Sequence, residues 1–240
     1  MKLHTFVGSP SSHKVQAVVS HLGLEIQVEY HDFIGGDLRT ADYVALNPNG
    51  MVPLLVDGAF RLWESNAIMQ YLADKVGSDA LFPRDPQKRA DVVRWQFWEV
   101  AHFNKAFGLL AFETVAKPKL KLGATNNSLV EMARADLAHF APVLERHLAG
   151  RQHVVGENIT IADYSIIPFE SYRPAVPFDW SPYSNINAYF DRVRKMEHWV
   201  RTAPASLASF DLRETVLAQA NCLRQASQED RTMQQNRIMF

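Results

Sequence analysis

Glu64 and Ser65 stand at the junction between an apolar strand pattern and a helical pattern, and their side chains suit an amino-acid head group. Ser65 is predicted to be the N-cap of the helix that follows, where its hydroxyl would accept a backbone N–H. A helix start offers free N–H groups and a partial positive charge, which attract a carboxylate. The Glu64 carboxylate attracts an ammonium. The pair therefore predicts a site for a ligand that carries both charges.

Turn and strand signals predict how these two residues are positioned. Asp57-Gly58 lies between two apolar runs and is a strong hairpin signal, because both turn positions tolerate a positive φ. Four further elements are predicted upstream, in the order strand, helix, strand and short helix: residues 3–7, 15–22, 26–30 and 41–46. With the hairpin and the helix after it, this order requires a mixed sheet with helices on its faces.

Residues 77–87 contain one glycine and two prolines and predict a linker between two domains, residues 1–76 and 88–240. Helical patterns recur through the second domain: residues 92–110, 130–148, 184–198 and 204–225. Residues 160–163 match the capping-box pattern, with aspartate in place of the commoner glutamate. The second domain is therefore predicted to be all helical.

The composition and the apolar pattern of the chain argue against several classes of protein. The 240 residues are 47% hydrophobic and 21% charged, which is typical of a globular chain with a substantial core. Lys+Arg number 25 and Asp+Glu 26, a balance that argues against a general nucleic-acid or membrane-surface binder. No apolar run approaches the roughly 20 residues that span a bilayer, and no secretory leader is evident. A cytoplasmic protein is expected.

Four segments together carry a family pattern: GSPSSHKV at 8–15, NPNGMVP at 47–53, ESNAI at 64–68 and ITIAD at 159–163. In this order and combination they are highly specific. The chain resembles a soluble, bacterial, serine-type glutathione S-transferase over about its whole length. The resemblance implies an α/β thioredoxin-like N-terminal domain with a mixed four-stranded sheet, an all-α C-terminal domain, and a homodimer.

The resemblance also implies which residues contact glutathione. Pro53 would be the cis-proline of the fold, and the Val52 backbone would pair with the cysteinyl part of glutathione. Glu64 and Ser65 would hold the γ-glutamyl end, which agrees with the chemistry inferred from their types. Arg39 stands where some relatives place a cation for the glycyl carboxylate.

Two features depart from the pattern of many relatives. Met51 stands where those relatives carry lysine or glutamine toward glutathione, so a side-chain contact is lost while the backbone remains available. The first 221 residues contain no cysteine, which excludes a mixed disulfide with a protein cysteine in the loop at residues 9–12. Cys222 is expected to be a packing residue.

Three hydroxyls in the first loop are candidates for activating the glutathione sulfur. A thiol with a pKa of about 8.5 is only a few per cent ionised at neutral pH, and lowering that pKa by two units takes about 2.7 kcal/mol. One charge-assisted hydrogen bond near a helix N-terminus supplies energy of that order. A match to plant phi-type enzymes indicates Ser12, whereas a match to bacterial nu-type proteins indicates Ser9 and Ser11. We favour Ser11 or Ser12, and the sequence does not distinguish between these two residues.

An aromatic face of the long helix is predicted to line an electrophile pocket between the domains: Trp98, His102, Phe103 and Phe107. The face continues to Trp95 and Phe112, although the same spacing is typical of a plain core helix. The nine histidines show no paired ligand spacing, so no metal site is predicted. Asp163 is expected to be structural, as a member of the capping box.

The function expected from this pattern is a glutathione transferase of the detoxification type. It would use glutathione as co-substrate, ionise its thiol and add the sulfur to a hydrophobic electrophile. One alternative is a glutathione-dependent disulfide or peroxide reductase at the same site. The other is a binding or regulatory protein that retains the fold without the chemistry. The expected partners are glutathione, a hydrophobic small molecule and a second copy of the chain, with no nucleic acid and no membrane.

Overall fold

A computed structural model describes residues 1–203 of the chain. A four-stranded sheet forms the centre of the first domain, with β1 (Lys2–Thr5), β2 (Gln27–Tyr30), β3 (Leu54–Asp57) and β4 (Phe60–Trp63). The strand order is β2-β1-β3-β4. β1 and β2 are parallel, whereas β1–β3 and β3–β4 are antiparallel. The prediction of a mixed sheet is therefore confirmed.

Three α-helices cover the two faces of this sheet: α1 (Pro10–His21), α2 (Ala41–Leu46) and α3 (Ser65–Lys75). Leu3 and Leu55 point into the main core with the apolar side chains of α1 and α3. Leu54, on the alternate face, packs with Leu38 and Tyr43 in a second, smaller core. The alternation follows from the period of two along a strand.

The predicted hairpin forms between β3 and β4, but its turn residues are Gly58 and Ala59, one position later than predicted, because Asp57 pairs with Phe60. Gly58 has φ +60°, a backbone conformation that glycine adopts without a steric penalty. The Val52-Pro53 peptide bond immediately before β3 is cis, as predicted.

Helices make up the second domain. They are α4 (Pro86–Trp98), α5 (Asn104–Ala111), α6 (Lys117–Lys119), α7 (Asn127–His147), α8 (Ile161–Ile166), α9 (Pro168–Tyr172), α10 (Ser184–Val193) and α11 (Glu197–Arg201). Two π-helical turns, Glu99–Phe103 and Phe112–Ala116, flank α5. Within residues 1–203, no helix is long and apolar enough to cross a membrane.

Asp163 has the structural role that the sequence predicts. Its carboxylate and the Thr160 side chain form the capping box of α8. The buried carboxylate also accepts hydrogen bonds from the Val154 backbone and the Tyr189 hydroxyl. The predicted helix at 204–225 and Cys222 lie outside the described residues.

Candidate functional site

A cavity of about 240 Å³ lies where the N-terminus of α1 meets the second domain. Its wall is mostly apolar: Phe107, Phe112, Val115, Pro168, Phe169 and Val176. Its polar lining consists of Ser11, Lys14, Glu99, Asn104 and Tyr172. The cavity thus combines a hydroxyl at a helix start with a pocket suited to an apolar molecule.

The three candidate serines occupy different environments at the start of α1. Ser9 is the N-cap, and its hydroxyl oxygen accepts a hydrogen bond from the Ser12 backbone N–H at 3.2 Å. This bond leaves the Ser9 hydroxyl proton available to another acceptor. Ser11 lines the cavity and is half-buried. Ser12 is 1% exposed, and its buried Oγ has no hydrogen-bond partner among the described residues.

A hydrogen bond from the second domain restrains the loop that carries these serines. The Tyr172 hydroxyl donates a hydrogen bond of 2.6 Å to the Gly8 carbonyl oxygen. Burial raises the pKa of Tyr172 well above its ordinary value, so the phenol remains a donor. Gly8 has φ +84°, a conformation that favours glycine and lets the chain turn into α1.

A buried polar network borders the cavity and joins the two domains. Lys14 Nζ donates to Asn66 Oδ1 at 2.9 Å and lies 3.6 Å from Glu99 Oε2. Asn66 Nδ2 lies 3.2 Å from the same Glu99 oxygen, and the Ser165 hydroxyl donates to Asn66 Oδ1 at 3.0 Å. Because Lys14 and Glu99 are 3% and 1% exposed, each charge depends on the other for compensation.

Two side-chain donors hold the loop before Pro53. The Tyr43 hydroxyl and Asn47 Nδ2 each donate to the Met51 carbonyl oxygen at 2.7 Å. Burial raises the pKa of Tyr43 to about 12, which keeps its hydroxyl protonated. The Met51 side chain is 66% exposed, and Val52 is half-buried. The backbone at residues 51–53 is thus held rigidly beside an accessible surface.

The start of α3 corrects one prediction. Ser65 is the first residue of the helix, and Glu64 is its N-cap without any side-chain capping bond. Glu64 has φ +71°, which is uncommon for a residue with a side chain and is associated with functional sites. The helix begins one residue earlier than predicted because this left-handed conformation turns the chain directly from β4 into α3. No side chain therefore occupies the first backbone N–H groups.

Arg39 lies at the surface, and only one of the four predicted pocket residues lines the cavity. Arg39 is exposed in a single 3₁₀ turn, Asp37–Arg39. Phe107 lines the cavity, whereas Trp98, His102 and Phe103 do not. Phe103 is fully buried and stacks on Trp98, and the exposed His102 ring stacks on Phe140.

A π-helical turn, Glu99–Phe103, interrupts the long helix that carries the predicted pocket residues. Such a turn adds a residue to the helical repeat, so a spacing of three to four residues is not kept across it. The assignment of Trp98, His102 and Phe103 to an electrophile pocket stays a prediction. Sequence reasoning also missed Lys14, Glu99 and Tyr172; of these, only Lys14 lies within a motif that was recognised.

Two of the histidines, His4 and His31, lie close to each other and to Glu29. His4 Nδ1 lies 2.9 Å from His31 Nε2, and both nitrogens lie within 3.8 Å of Glu29 Oε1. The linear spacing of the histidines gave no sign of this cluster, because it joins two strands. The prediction of no metal site used linear spacing alone, which does not register ligand atoms that meet across two strands.

Comparisons with known proteins agree over both domains. Residues 1–74 match the family model described as "Glutathione S-transferase, N-terminal domain", and residues 103–197 match "Glutathione S-transferase, C-terminal domain". Glutathione S-transferase 3 of Zea mays is 30% identical over 210 residues, which cover 85% of this chain and 94% of that relative.

Solved structures give the same result. A delta-class glutathione transferase of Nilaparvata lugens has 28% sequence identity and a TM-score of 0.76, covering 90% of this chain and 98% of that one. The glutathione transferase URE2P8 from Phanerochaete chrysosporium, crystallised with oxidized glutathione, has 25% identity and a TM-score of 0.74. Its match covers 84% of this chain and 92% of its own.

Proposed function

Because the chain belongs to the glutathione S-transferase family, we propose that it ionises the thiol of bound glutathione and adds the sulfur to a hydrophobic electrophile. The observation that carries this proposal is the cavity itself. A hydroxyl at the start of α1, Ser11, faces the same space as the aromatic rings of Phe107 and Phe112. A nucleophile held at the first group and an apolar substrate held at the others would meet there.

The residues proposed to hold glutathione lie around the cis bond and the start of α3. The Val52 backbone has a fixed position because the adjoining Met51 carbonyl is anchored by Tyr43 and Asn47. The uncapped start of α3 at Ser65 offers backbone donors to a carboxylate, and Glu64 offers an acceptor to an ammonium. Arg39 is exposed and would pair with the glycyl carboxylate.

A hydroxyl of the loop at residues 9–12 is proposed to activate the sulfur, which makes the enzyme serine-type, and Ser11 is the favoured residue. Ser11 lines the cavity, and Ser9 accepts a helix N–H while retaining its own proton for donation. The enclosed hydroxyl of Ser12 is a weaker candidate, because its oxygen has no contact with solvent. A thiolate close to this helix start is further stabilised by the partial positive charge there.

We test this proposal by retention on immobilised glutathione, followed by turnover of an activated aryl halide and of a small disulfide. Transfer to the aryl halide is the expected result. Turnover of the disulfide alone would instead support the reductase alternative, with glutathione supplying both reducing sulfurs. Absence of both retention and turnover would contradict the proposal and favour a non-catalytic binding protein.

Single-serine variants separate the roles within the site. Ser65→Ala should weaken glutathione binding by roughly 1–3 kcal/mol, since a hydrogen bond to a charged group is lost. Ser9→Ala and Ser11→Ala should raise the pKa of the bound thiol, measured as thiolate absorbance against pH. Ser128→Ala, at an exposed position on α7, is the matched control and should change neither quantity. A thiol pKa unaffected by either loop variant and by Ser12→Ala would exclude the serine mechanism.

We also propose that the chain has two domains, residues 1–76 and 88–240, with residues 77–87 as the linker. α3 ends at Lys75 and α4 begins at Pro86, which agrees with that division.

We further propose that the protein is a homodimer. Phe97 and Val100 are 70% and 50% exposed, and their spacing of three places them on one face. Phe97→Asp should shift the mass in solution toward a monomer, measured by light scattering.

A further inference from the structure

Three potential metal ligands share one face at the edge of the sheet. His4 on β1 is the register partner of Glu29 on the parallel strand β2. His31 follows two residues after Glu29, and its backbone N–H continues the ladder by donating to the Thr5 carbonyl at 2.8 Å. Side chains two residues apart on a strand point to the same side. Backbone pairing therefore brings the three side chains together.

The distances between their ligand atoms fit one small cation. His4 Nδ1 and His31 Nε2 share a hydrogen bond of 2.9 Å, whose proton a bound metal ion would displace. Glu29 Oε1 lies 3.7 Å from His4 Nδ1 and 3.8 Å from His31 Nε2. Tetrahedral zinc with bonds of about 2.0–2.1 Å requires ligand atoms about 3.3 Å apart. Adjustments of about half an ångström would make the triangle regular, which side-chain rotation can supply.

We propose that His4, Glu29 and His31 form a binding site for a divalent transition-metal ion of the zinc class, with a fourth position open to water. Two imidazoles and one carboxylate are ligands that such ions accept. The His4 side chain is 5% exposed and that of His31 12%, whereas the Glu29 side chain is 40% exposed, so the open side is toward Glu29.

The surroundings orient the ligands. The Tyr43 ring packs edge-on against both imidazoles, with centroids 6.0 Å from His4 and 4.9 Å from His31. Lys2 Nζ donates to the second Glu29 oxygen, Oε2, at 2.7 Å and leaves Oε1 turned toward the histidines.

Substituting Lys2 also tests the proposal, because the Lys2 ammonium would repel a cation bound to the Glu29 carboxylate. Lys2→Met should therefore tighten metal binding several-fold. Glu29→Gln and His31→Gln should each weaken it at least about tenfold, because the number of strong ligands falls from three to two. His139→Gln, at an exposed position on α7, is the matched control and should leave affinity unchanged.

The experiment uses the full chain without a histidine tag, stripped of metal by a chelator and titrated with Zn²⁺ by calorimetry. Co²⁺ provides an independent optical readout, since four-coordinate cobalt has strong visible absorption. One ion per chain, with the expected order of variants, is the supporting result. Cys222→Ser should bind Zn²⁺ as the unaltered chain does.

Three outcomes would overturn the proposal. They are no Zn²⁺ uptake by the unaltered chain, uptake that survives in His31→Gln, and uptake that is lost in Cys222→Ser. Circular dichroism verifies that each variant is folded. If Glu29→Gln fails to fold, the Lys2→Met measurement still decides, because unchanged affinity there would exclude the Glu29 carboxylate as a ligand.

Discussion

Lys14 of α1 and Glu99 of the second domain form a buried ion pair, with Nζ 3.6 Å from Oε2, and both residues line the cavity. Removing one partner leaves the other charge buried without compensation, which typically costs 3–5 kcal/mol. Lys14→Met should therefore lower the free energy of unfolding by about 3 kcal/mol, measured by denaturant titration.

A double variant checks that interpretation. Adding Glu99→Leu to Lys14→Met should restore part of the lost stability, because the unpaired charge is then absent. Arg94→Met removes an exposed partner of Asp91 on α4 and should cost less than about 1 kcal/mol. A single Lys14→Met cost as small as that of Arg94→Met would contradict the assignment of a tightly coupled buried pair.

Tyr43→Phe removes one of the two donors to the Met51 carbonyl and keeps the aromatic ring. The expected cost is about 1 kcal/mol of folding free energy, typical of one hydrogen bond. The less restrained loop should raise KM for glutathione with little change in kcat, measured by steady-state kinetics. A lower kcat at unchanged KM would show that the loop does not contribute to glutathione binding.

Ser12→Ala should leave the free energy of unfolding unchanged or raise it by up to about 1 kcal/mol. The variant replaces a buried hydroxyl oxygen that has no partner among residues 1–203. Removing such a group relieves its desolvation cost. Thermal unfolding provides the measurement, and a loss above 1 kcal/mol would reveal a hydrogen bond made in solution.

Stability should depend on pH through His13, which stacks on Trp199 with centroids 3.6 Å apart. Burial lowers the pKa of His13 from 6.5 to about 4. Between these values the unfolded chain binds a proton that the folded protein does not, so the free energy of unfolding falls as the pH falls. The contribution is complete above 6.5 and decreases by about 3 kcal/mol toward 4.

His13→Gln should flatten that dependence. Denaturant titrations at pH values above, within and below the window measure it, and His139→Gln provides the control at an exposed position. Equal slopes for His13→Gln and the unaltered chain would assign the pH dependence to other groups.

Local signals made much of the first domain predictable. Asp57-Gly58 specifies a hairpin through local backbone conformation, since Gly58 adopts a positive φ. The capping box of Thr160 and Asp163 is likewise local, since each group satisfies a donor within the same helical turn. In these places sequence neighbours are also spatial neighbours.

Other features depend on contacts that the sequence does not display. The π turn at Glu99–Phe103 interrupts the helical spacing, and nothing in the local residue pattern marks it. The approach of His4 to His31 depends on the register of two strands 27 residues apart. The partners of Lys14 come from helices in both domains, so a motif that includes Lys14 could not reveal them.

The hydrogen bond from the Tyr172 hydroxyl to the Gly8 carbonyl links the cavity wall to the serine loop. Tyr172 also borders the cavity, beside the α9 residues Pro168 and Phe169. Substitutions that reshape this wall would therefore also move the segment that precedes Ser9. Adaptation on one side is expected to require compensating changes on the other, so the two domains should diverge together and not as exchangeable modules.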